Sequence, residues 1–304
     1  MGNKRVFYAC QGLALNSAPL AGVQTLSVNT NNQTYFVDEF GSYDIHEIYS
    51  DTPAVSISFD RIMNTDMPFA YPEMSFQDAI KKHDHELCLF IGDDTEEFVG
   101  SGNPLTVSFK YLSIESVSYN LDIDGNFNES IELIGYHKEY GGCDSSGILS
   151  LPKVKENTQS VYKRQYISSW SVPSMGSGEL INLTIDTRFG INTVQEFAAP
   201  HNRFEKKYRY PTLPIVTTVS ATTIYQKDPD IDGLFFYTSG EQCATTGITT
   251  KENLSFTLCN SGTIYCDNCI LKDTSYTGGG TGGDNVTITY NYECYNGFYI
   301  SGSQ

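Results

Sequence analysis

The sequence predicts an all-β fold with one or two short helices, and three observations support this prediction. Aromatic residues make up 13% of the 304 residues, with 21 tyrosines among them, and aromatic side chains favour strands. Gly, Asn, Ser and Thr are abundant, as turns require, whereas the Ala-, Leu-, Glu- and Lys-rich runs of helices are missing. Short segments that alternate apolar and polar residues recur along the chain, and this period of two is typical of strands with one buried face.

The alternating segments recur in the same order in the two halves of the chain. This repetition predicts two tandem domains of one kind, 1–138 and 175–304, with 139–174 as the connecting segment. One helix per domain fits between the strands, best at 75–82, where Ser75 can cap the helix. The matched pairs of segments are 24–30 with 181–187, 53–59 with 214–220, 114–122 with 271–277, and 131–134 with 286–289.

Each matched strand has one apolar and one polar face. Leu26 and Val28 lie on the apolar face in the first half, as Leu183 and Ile185 do in the second. The intervening residues are small hydroxyls, amides and scattered carboxylates. Because these groups must keep hydrogen-bond partners, we expect the polar face to meet water.

The formal net charge of −17 argues against a nucleic-acid-binding protein. Such proteins normally present Lys and Arg that neutralise phosphates, and this chain has no basic stripe. A negative surface repels DNA, or simply keeps the protein soluble.

No apolar run approaches the roughly 20 residues of a membrane-spanning helix. Cys10, Gln11 and Gly12 interrupt the apolar start of the chain, so we expect neither a signal peptide nor membrane insertion.

The eight cysteines have no regular spacing, and we predict that they are buried free thiols rather than a disulfide scaffold. Cys266 and Cys269 have the spacing of half a zinc knuckle, but no second pair follows at a matching distance. In the repeat they align with Phe109 and Leu112. These positions look like core positions, so the two cysteines are interpreted as structural.

Three further motifs imitate functional sites. The Gly-x-Gly-x-x-Gly pattern at 278–283 precedes a strand, whereas a dinucleotide site needs a helix there, so we interpret it as a hairpin loop. The acidic turn 122–128 lacks the Gly and Glu of an EF-hand loop. The two histidines in 83–86 have no third metal ligand, and we predict a solvated segment. Without a Ser-His-Asp arrangement or nucleophile elbow, we expect no enzyme, no catalytic residue, no cofactor and no bound metal.

The order of these elements resembles that of bacteriophage tail tube proteins and their relatives in contractile injection systems. Members of that family carry a strand, a long loop, a Pro-containing strand, a helix, and a closing hairpin whose first strand often ends in Ser-Tyr. The second half supplies all of these except an obvious helix, as 180–187, 188–211, 213–222 and a hairpin from 273 to 290 with Ser275-Tyr276. The first half supplies 23–30, 31–52, 54–60, 75–82 and a hairpin from 116 to 136 with Ser118-Tyr119.

The resemblance implies two tube-type β-sandwich or half-barrel domains that close into a ring barrel on oligomerisation. Family members mostly carry one domain and form six-subunit rings, so two domains per chain imply a homotrimer. Its place would be the virion tail, assembled in the host cytoplasm, with other tail proteins (tape measure, sheath, or tip and terminator proteins) as partners. Genomic DNA would pass through the channel without specific binding. A tail hub or tail-completion protein with a doubled tube domain and a glycan-binding β-sandwich adhesin are the alternatives.

The resemblance also implies roles for two sets of residues. The candidate channel-lining residues, taken from the polar face, are Ser116, Ser118, Asn120, Asp122, Glu132, Asn182, Thr184 and Asp186. The candidate ring-stacking residues, taken from the loops 31–52 and 188–211, are Phe36, Phe40, Tyr43, Phe189, Phe197 and Phe204.

Overall fold

The structure, a computed structural model, confirms a fold that is nearly all β. In its described part the only helical element is a short 3-10 turn, Pro173–Met175. The helix predicted over 75–82 lies outside the described residues. No helix in this part of the chain is long and apolar enough to span a membrane. The residues described are 11–32, 34–50, 53–63, 73–74, 84–92, 105–122, 124–143, 167–175, 179–195, 207–224, 251–258, 262–278, 286–295 and 297–301.

Strands form at the segments that the alternating pattern predicts, but 31–52 and 188–211, which were expected to be loops, also contain strands. Those of the first half are β1 (Gln11–Leu15), β2 (Ala18–Leu20), β3 (Val23–Asn31), β4 (Thr34–Asp38), β5 (Ile45–Ser50), β6 (Ala54–Ile62), β7 (Glu73–Met74), β8 (His85–Ile91), β9 (Leu105–Asp122), β10 (Phe127–Gly135) and β11 (His137–Tyr140). Those of the second half are β12 (Ile167–Ser171), β13 (Leu180–Arg188), β14 (Ile191–Gln195), β15 (Lys207–Pro211), β16 (Val216–Ile224), β17 (Glu252–Leu258), β18 (Gly262–Thr277), β19 (Thr287–Cys294) and β20 (Phe298–Ser301).

One large antiparallel sheet runs through both halves of the chain. Its strand order is β3-β6-β10-β9-β13-β16-β19-β18-β17-β12. The halves join edge to edge where β13 pairs with β9, from Asn182 opposite Asp122 to Arg188 opposite Ser116. We call this pairing the internal joint.

The two longest strands, β9 and β18, change partners along their length. The N-terminal part of β9 pairs with β8 and β11, and its C-terminal part pairs with β10 and β13. β18 pairs first with β17 and β20 and then with β19. Each strand contains a residue with positive φ, Tyr111 at 56° and Asn268 at 54°, and each register then skips one residue, Glu115 or Lys272. Such bulges bend a strand, which allows it to serve two parts of a sheet.

The strand order is the same in the two halves. The first half follows β3-β6-β10-β9-β8-β1, and the second follows β13-β16-β19-β18-β17-β12. A two-stranded hairpin, β4–β5 or β14–β15, lies between the first two of these strands in sequence. A short strand at the end of each half, β11 or β20, pairs with the long strand.

Strand register shifts two of the segment matches made in sequence. Thr25 corresponds to Asn182 in the matched segments, and Thr25 pairs with Asp60 whereas Asn182 pairs with Thr222. Asp60 therefore corresponds to Thr222, one residue beyond the position that the sequence match gives. For the last strand the register matches Ile131 with Tyr290 instead of Val286. Strands such as β16, with Ser and Thr on both faces, leave register weakly specified in the sequence.

The inward face of the sheet packs into one hydrophobic cluster that contains residues of both halves. In the first half this core also holds a buried ion pair. Arg61 Nε donates to the Glu129 carboxylate, and the Tyr119 hydroxyl donates to Glu129 Oε1 at 3.0 Å. Because an uncompensated buried charge is costly, Arg61, Glu129 and Tyr119 stabilise one another in the core.

The prediction that the cysteines are free thiols is wrong for four of them. Disulfides join Cys88 to Cys143 and Cys269 to Cys294, whereas Cys266 is free and buried. Spacing along the chain did not show this pairing because it depends on register. The antiparallel pairing of β18 with β19 brings Cys269 opposite Cys294.

Candidate functional site: a polar sheet face and two free strand edges

The sheet face turned away from the core is polar across both halves of the chain. Ser118 lies opposite Ser130 in β10 and opposite Asp186 in β13. The Ser116 hydroxyl donates to Glu132 Oε2 at 2.8 Å within the same face. The structure therefore brings all eight candidate channel-lining residues onto one face. They are Ser116, Ser118, Asn120, Asp122, Glu132, Asn182, Thr184 and Asp186.

Carboxylates dominate the charge of this polar face. Arg188 Nε lies 3.3 Å from Asp186, and Lys272 Nζ lies 2.7 Å from Glu293. The hydrogen bond from Lys272 lowers the pKa of Glu293, which keeps that carboxylate ionised at neutral pH. With these two cations set against six carboxylates, the face is negative and repels a polyanion. The six are Asp60, Asp122, Glu132, Asp186, Asp273 and Glu293.

Several strand edges of the sheet pair with no strand among the described residues, and we call two of them the free edges. One is the outer edge of β3, and the other is the outer edge of the C-terminal part of β18. By strand order, β3 corresponds to β13 and β18 corresponds to β9. The free edges are therefore the counterparts of the two strands that form the internal joint.

Burial differs between the internal joint and the free edges at corresponding positions. Tyr119 in β9 is 1% exposed, whereas its counterpart Tyr276 in β18 is 53% exposed. Val28 in β3 is only partly buried, whereas its counterpart Ile185 in β13 is fully buried. Apolar side chains at the free edges thus lack the cover that the neighbouring half provides at the joint.

The β4–β5 hairpin carries a second exposed apolar surface. Phe40 and Tyr43 at its tip are fully exposed, at 107% and 108%, and Phe36 is also exposed. The rings of Tyr35 and Tyr49 stack across the hairpin with centroids 5.2 Å apart. Both of its strands pair only with each other within the described part of the chain.

The remaining candidate stacking residues lie in the second half. Phe189 is buried in the core, so its side chain is not available to a stacking surface. Its backbone N–H donates to the Glu115 carbonyl at 2.8 Å, which fixes the end of β13 against β9. Phe197 and Phe204 lie outside the described residues.

A small cleft, which sequence reasoning missed, lies where β9 ends and β13 begins. Its volume is about 100 Å³. Ile167 and Trp170 of β12 line it, and most of the remaining lining is apolar. The full lining is Leu121, Asp122, Ile167, Trp170, Leu180, Ile181, Asn182 and Leu183. No pattern in the sequence signals it, because β9 is distant in the chain from the β12 and β13 strands that complete it. We call it the Trp170 cleft.

The motifs that imitate metal sites have structural explanations. Burial raises the pKa of the Cys266 thiol to about 12, so it stays protonated and is a poor metal ligand. Phe109 and Leu112, which correspond to Cys266 and Cys269 in the first half, are buried in the core. In the acidic turn, the Gly125 N–H donates to the Asp122 carbonyl at 3.1 Å and closes a tight turn. No group of three or more potential metal-ligating side chains occurs in the portion of the chain that the structure describes.

The prediction of a solvated segment around 83–86 is wrong at His85. This side chain is buried, and its Nδ1 lies 2.9 Å from the Asn16 amide nitrogen. The backbone N–H of Glu86 donates to Asn16 Oδ1 at 3.1 Å. His85 therefore helps to anchor the β1–β2 turn to β8.

No protein-family model matches this chain, and none of the curated proteins compared with it matches either.

Proposed function

We propose that this chain is a structural virion protein, the tail tube subunit of a bacteriophage-type particle, built from a duplicated tube domain. Three chains close into a pseudo-hexameric ring around a DNA-conducting channel, and rings stack into a tube. One observation carries the proposal. The two free edges of the sheet are the counterparts of the two strands that the chain itself joins at its centre.

The internal joint supplies a pattern for pairing between chains. In the joint, Ser118 lies opposite Asp186 and Asn120 lies opposite Thr184. The same register at the free edges places Ser275 opposite Asn29 of the next chain and Thr277 opposite its Ser27. Three such pairings among three chains close the sheet into a barrel. Closure satisfies the backbone groups of both edges and removes an aggregation-prone surface.

The duplication itself is supported by irregular features as well as by strand order. Tyr111 and Asn268, with the same positive φ, are 157 residues apart in sequence, as are the skipped residues Glu115 and Lys272. A non-glycine residue with positive φ is uncommon. Its recurrence at one distance, with a bulge after it, favours descent of both halves from one domain.

The polar face gives the ring its proposed role. In the closed barrel the polar face lines the channel, because the opposite face of the sheet packs into the core cluster. The carboxylates of the polar face then repel DNA phosphates. DNA therefore passes along the wall without binding to it. A sheet closed by backbone hydrogen bonds needs no catalytic group, cofactor or metal for this task.

The proposal is tested by the size and shape of the purified protein. Light scattering after gel filtration is expected to give a trimer, and negative-stain electron microscopy is expected to show rings that stack at high concentration. A hub or tail-completion protein would form rings that do not polymerise. A monomer at every concentration that binds glycans would contradict the proposal and support an adhesin.

A further inference from the structure

We propose that the aromatic tip of the β4–β5 hairpin docks into the Trp170 cleft of a second copy of this chain in the adjacent ring. This inference rests on the proposed ring and deepens it, since it names the contact that holds one ring on the next. The described part of each chain supplies this tip and this cleft, so a trimer offers three of each.

The tip presents two aromatic rings that nothing in the described chain covers. Phe40 and Tyr43 flank the turn, in which Gly41 has a φ of +94° and the Ser42 N–H donates to the Glu39 carbonyl at 3.1 Å. This turn fixes the backbone from which the two side chains project. Rigid aromatic anchors lose little conformational freedom on docking, and such anchors carry much of the energy of protein interfaces.

The cleft suits an aromatic side chain in chemistry and in size. Trp170, Ile167, Leu180 and Ile181 supply apolar lining, and the exposed residue Asp122 supplies a carboxylate. Its volume of about 100 Å³ is comparable with an engineered apolar cavity of about 150 Å³ that accepts benzene. The Asp122 carboxylate is an acceptor for the Tyr43 hydroxyl, which favours Tyr43 over Phe40 as the inserted ring.

The tip and the cleft lie at opposite ends of the sheet. β3, β6, β10, β9 and β13 alternate in direction, so β3 and β13 run parallel to each other. The hairpin follows the C-terminal end of β3, whereas the cleft surrounds the N-terminal end of β13. When rings stack head to tail, the tips of one ring therefore face the clefts of the next.

Charge opposes this contact at low ionic strength. Glu39 and Asp44 adjoin the tip, and Asp122 lies in the cleft, so like charges approach each other on docking. Salt screens exposed charges over about 10 Å at 0.1 M. Apolar insertion combined with like charges predicts that rings stack more readily as salt rises, which is the reverse of a contact between opposite charges.

Trp170 is the only tryptophan of the chain, and its fluorescence reports on the cleft directly. Wild-type protein is titrated from dilute rings to stacked tubes, with emission and electron microscopy recorded at each concentration. The double variant Phe40→Ala/Tyr43→Ala is compared with Tyr140→Ala, which removes an exposed tyrosine from β11. A cleft variant, Leu180→Glu, places a charge among the apolar lining residues.

Wild type and Tyr140→Ala are expected to stack with a shift in Trp170 emission. The tip variant and the cleft variant are expected to form rings but to need about tenfold or more protein for stacking, with emission unchanged. Tubes formed by the tip variant at wild-type concentration would overturn the inference and leave the proposed ring intact. Loss of the rings in the tip variant would also overturn it, because the tip would then act within a ring. Absence of rings in wild type would contradict the proposed function itself.

Discussion

Gly135 and Cys294 occupy corresponding positions in the two halves and meet their neighbours in different ways. A Cβ atom at Gly135 would lie 2.4 Å from Leu112 Cδ2, so the leucine side chain occupies the space above the glycine. In the second half, Cys269 corresponds to Leu112 and Cys294 corresponds to Gly135, and the two cysteines form a disulfide. One half therefore fills the position with a large side chain over a small one, and the other half fills it with a covalent bond.

The first prediction concerns Gly135→Ala. The added methyl group must displace Leu112 in a close-packed core, so we expect a loss of about 1–3 kcal/mol in the free energy of unfolding, measured by urea denaturation. Gly278→Ala is the matched control, because a Cβ there meets nothing within 4 Å. Equal stability of the two variants would show that Leu112 does not confine Gly135.

The second prediction concerns the buried ion pair. Removing the guanidinium in Arg61→Ala leaves the Glu129 carboxyl group buried without this ion-pair partner, and we expect a loss of about 3–5 kcal/mol in the free energy of unfolding. The double variant Arg61→Met/Glu129→Leu removes both charges and is expected to be more stable than Arg61→Ala. If Arg61→Ala proved the more stable of the two in chemical denaturation, the ion pair would not hold this part of the core together.

At the scale of elements, the free edge of β3 differs from its counterpart β13 in what covers it. Ile185 is covered by β9 and by the first half of the chain, whereas Val28 has no strand on its outer side in the described structure. The proposed ring buries Val28 as the internal joint buries Ile185. A charge at this position is tolerable in the monomer and costly in the ring.

The third prediction follows from this difference. Val28→Lys is expected to yield a folded monomer that does not form trimers, as measured by light scattering and circular dichroism. Ser27→Lys, on the polar face of the same strand, is the control and is expected to assemble. Normal trimers of Val28→Lys would mean that β3 does not join the next chain.

Alternation in the sequence was sufficient to predict the matched strands and their shared polar face, because each of these strands has one buried side. It did not predict the β4–β5 and β14–β15 hairpins, which lie in segments expected to be loops. It did not predict that Phe189 belongs to the core, since the residue follows a strand inside a long loop segment. The Cys269–Cys294 disulfide and the Trp170 cleft depend on register and on strands distant in sequence. Local patterns do not contain that information.

For the whole molecule, the negative polar face and the ring together predict how DNA moves. Glu132 and Asp186 lie on this face in β10 and β13, and Asp186 already has Arg188 as a partner. Replacing both carboxylates by Lys raises the formal charge of each chain by about four units, or about twelve units for a ring of three chains. This change is enough for the channel wall to attract phosphates rather than repel them.

The fourth prediction is that Glu132→Lys/Asp186→Lys, which leaves the Trp170 cleft unchanged, assembles into rings and tubes but slows or blocks the passage of DNA. Particles that carry the variant are expected to eject DNA more slowly in a fluorescence assay, most strongly at low salt. Glu139→Lys, a reversal on the exposed strand β11 away from the polar face, is the control. Ejection at the wild-type rate in both variants would argue against a channel lined by this face.

The central claim is that two corresponding halves in one chain close a ring from three chains, and the symmetry of the assembled particle tests it most directly. Cryo-electron microscopy of purified rings or tubes is expected to show three chains per ring, with six similar domains and the β18 edge of each chain paired to β3 of the next. A ring closed by six chains, or a protein that stays monomeric with both edges free at high concentration, would contradict the account.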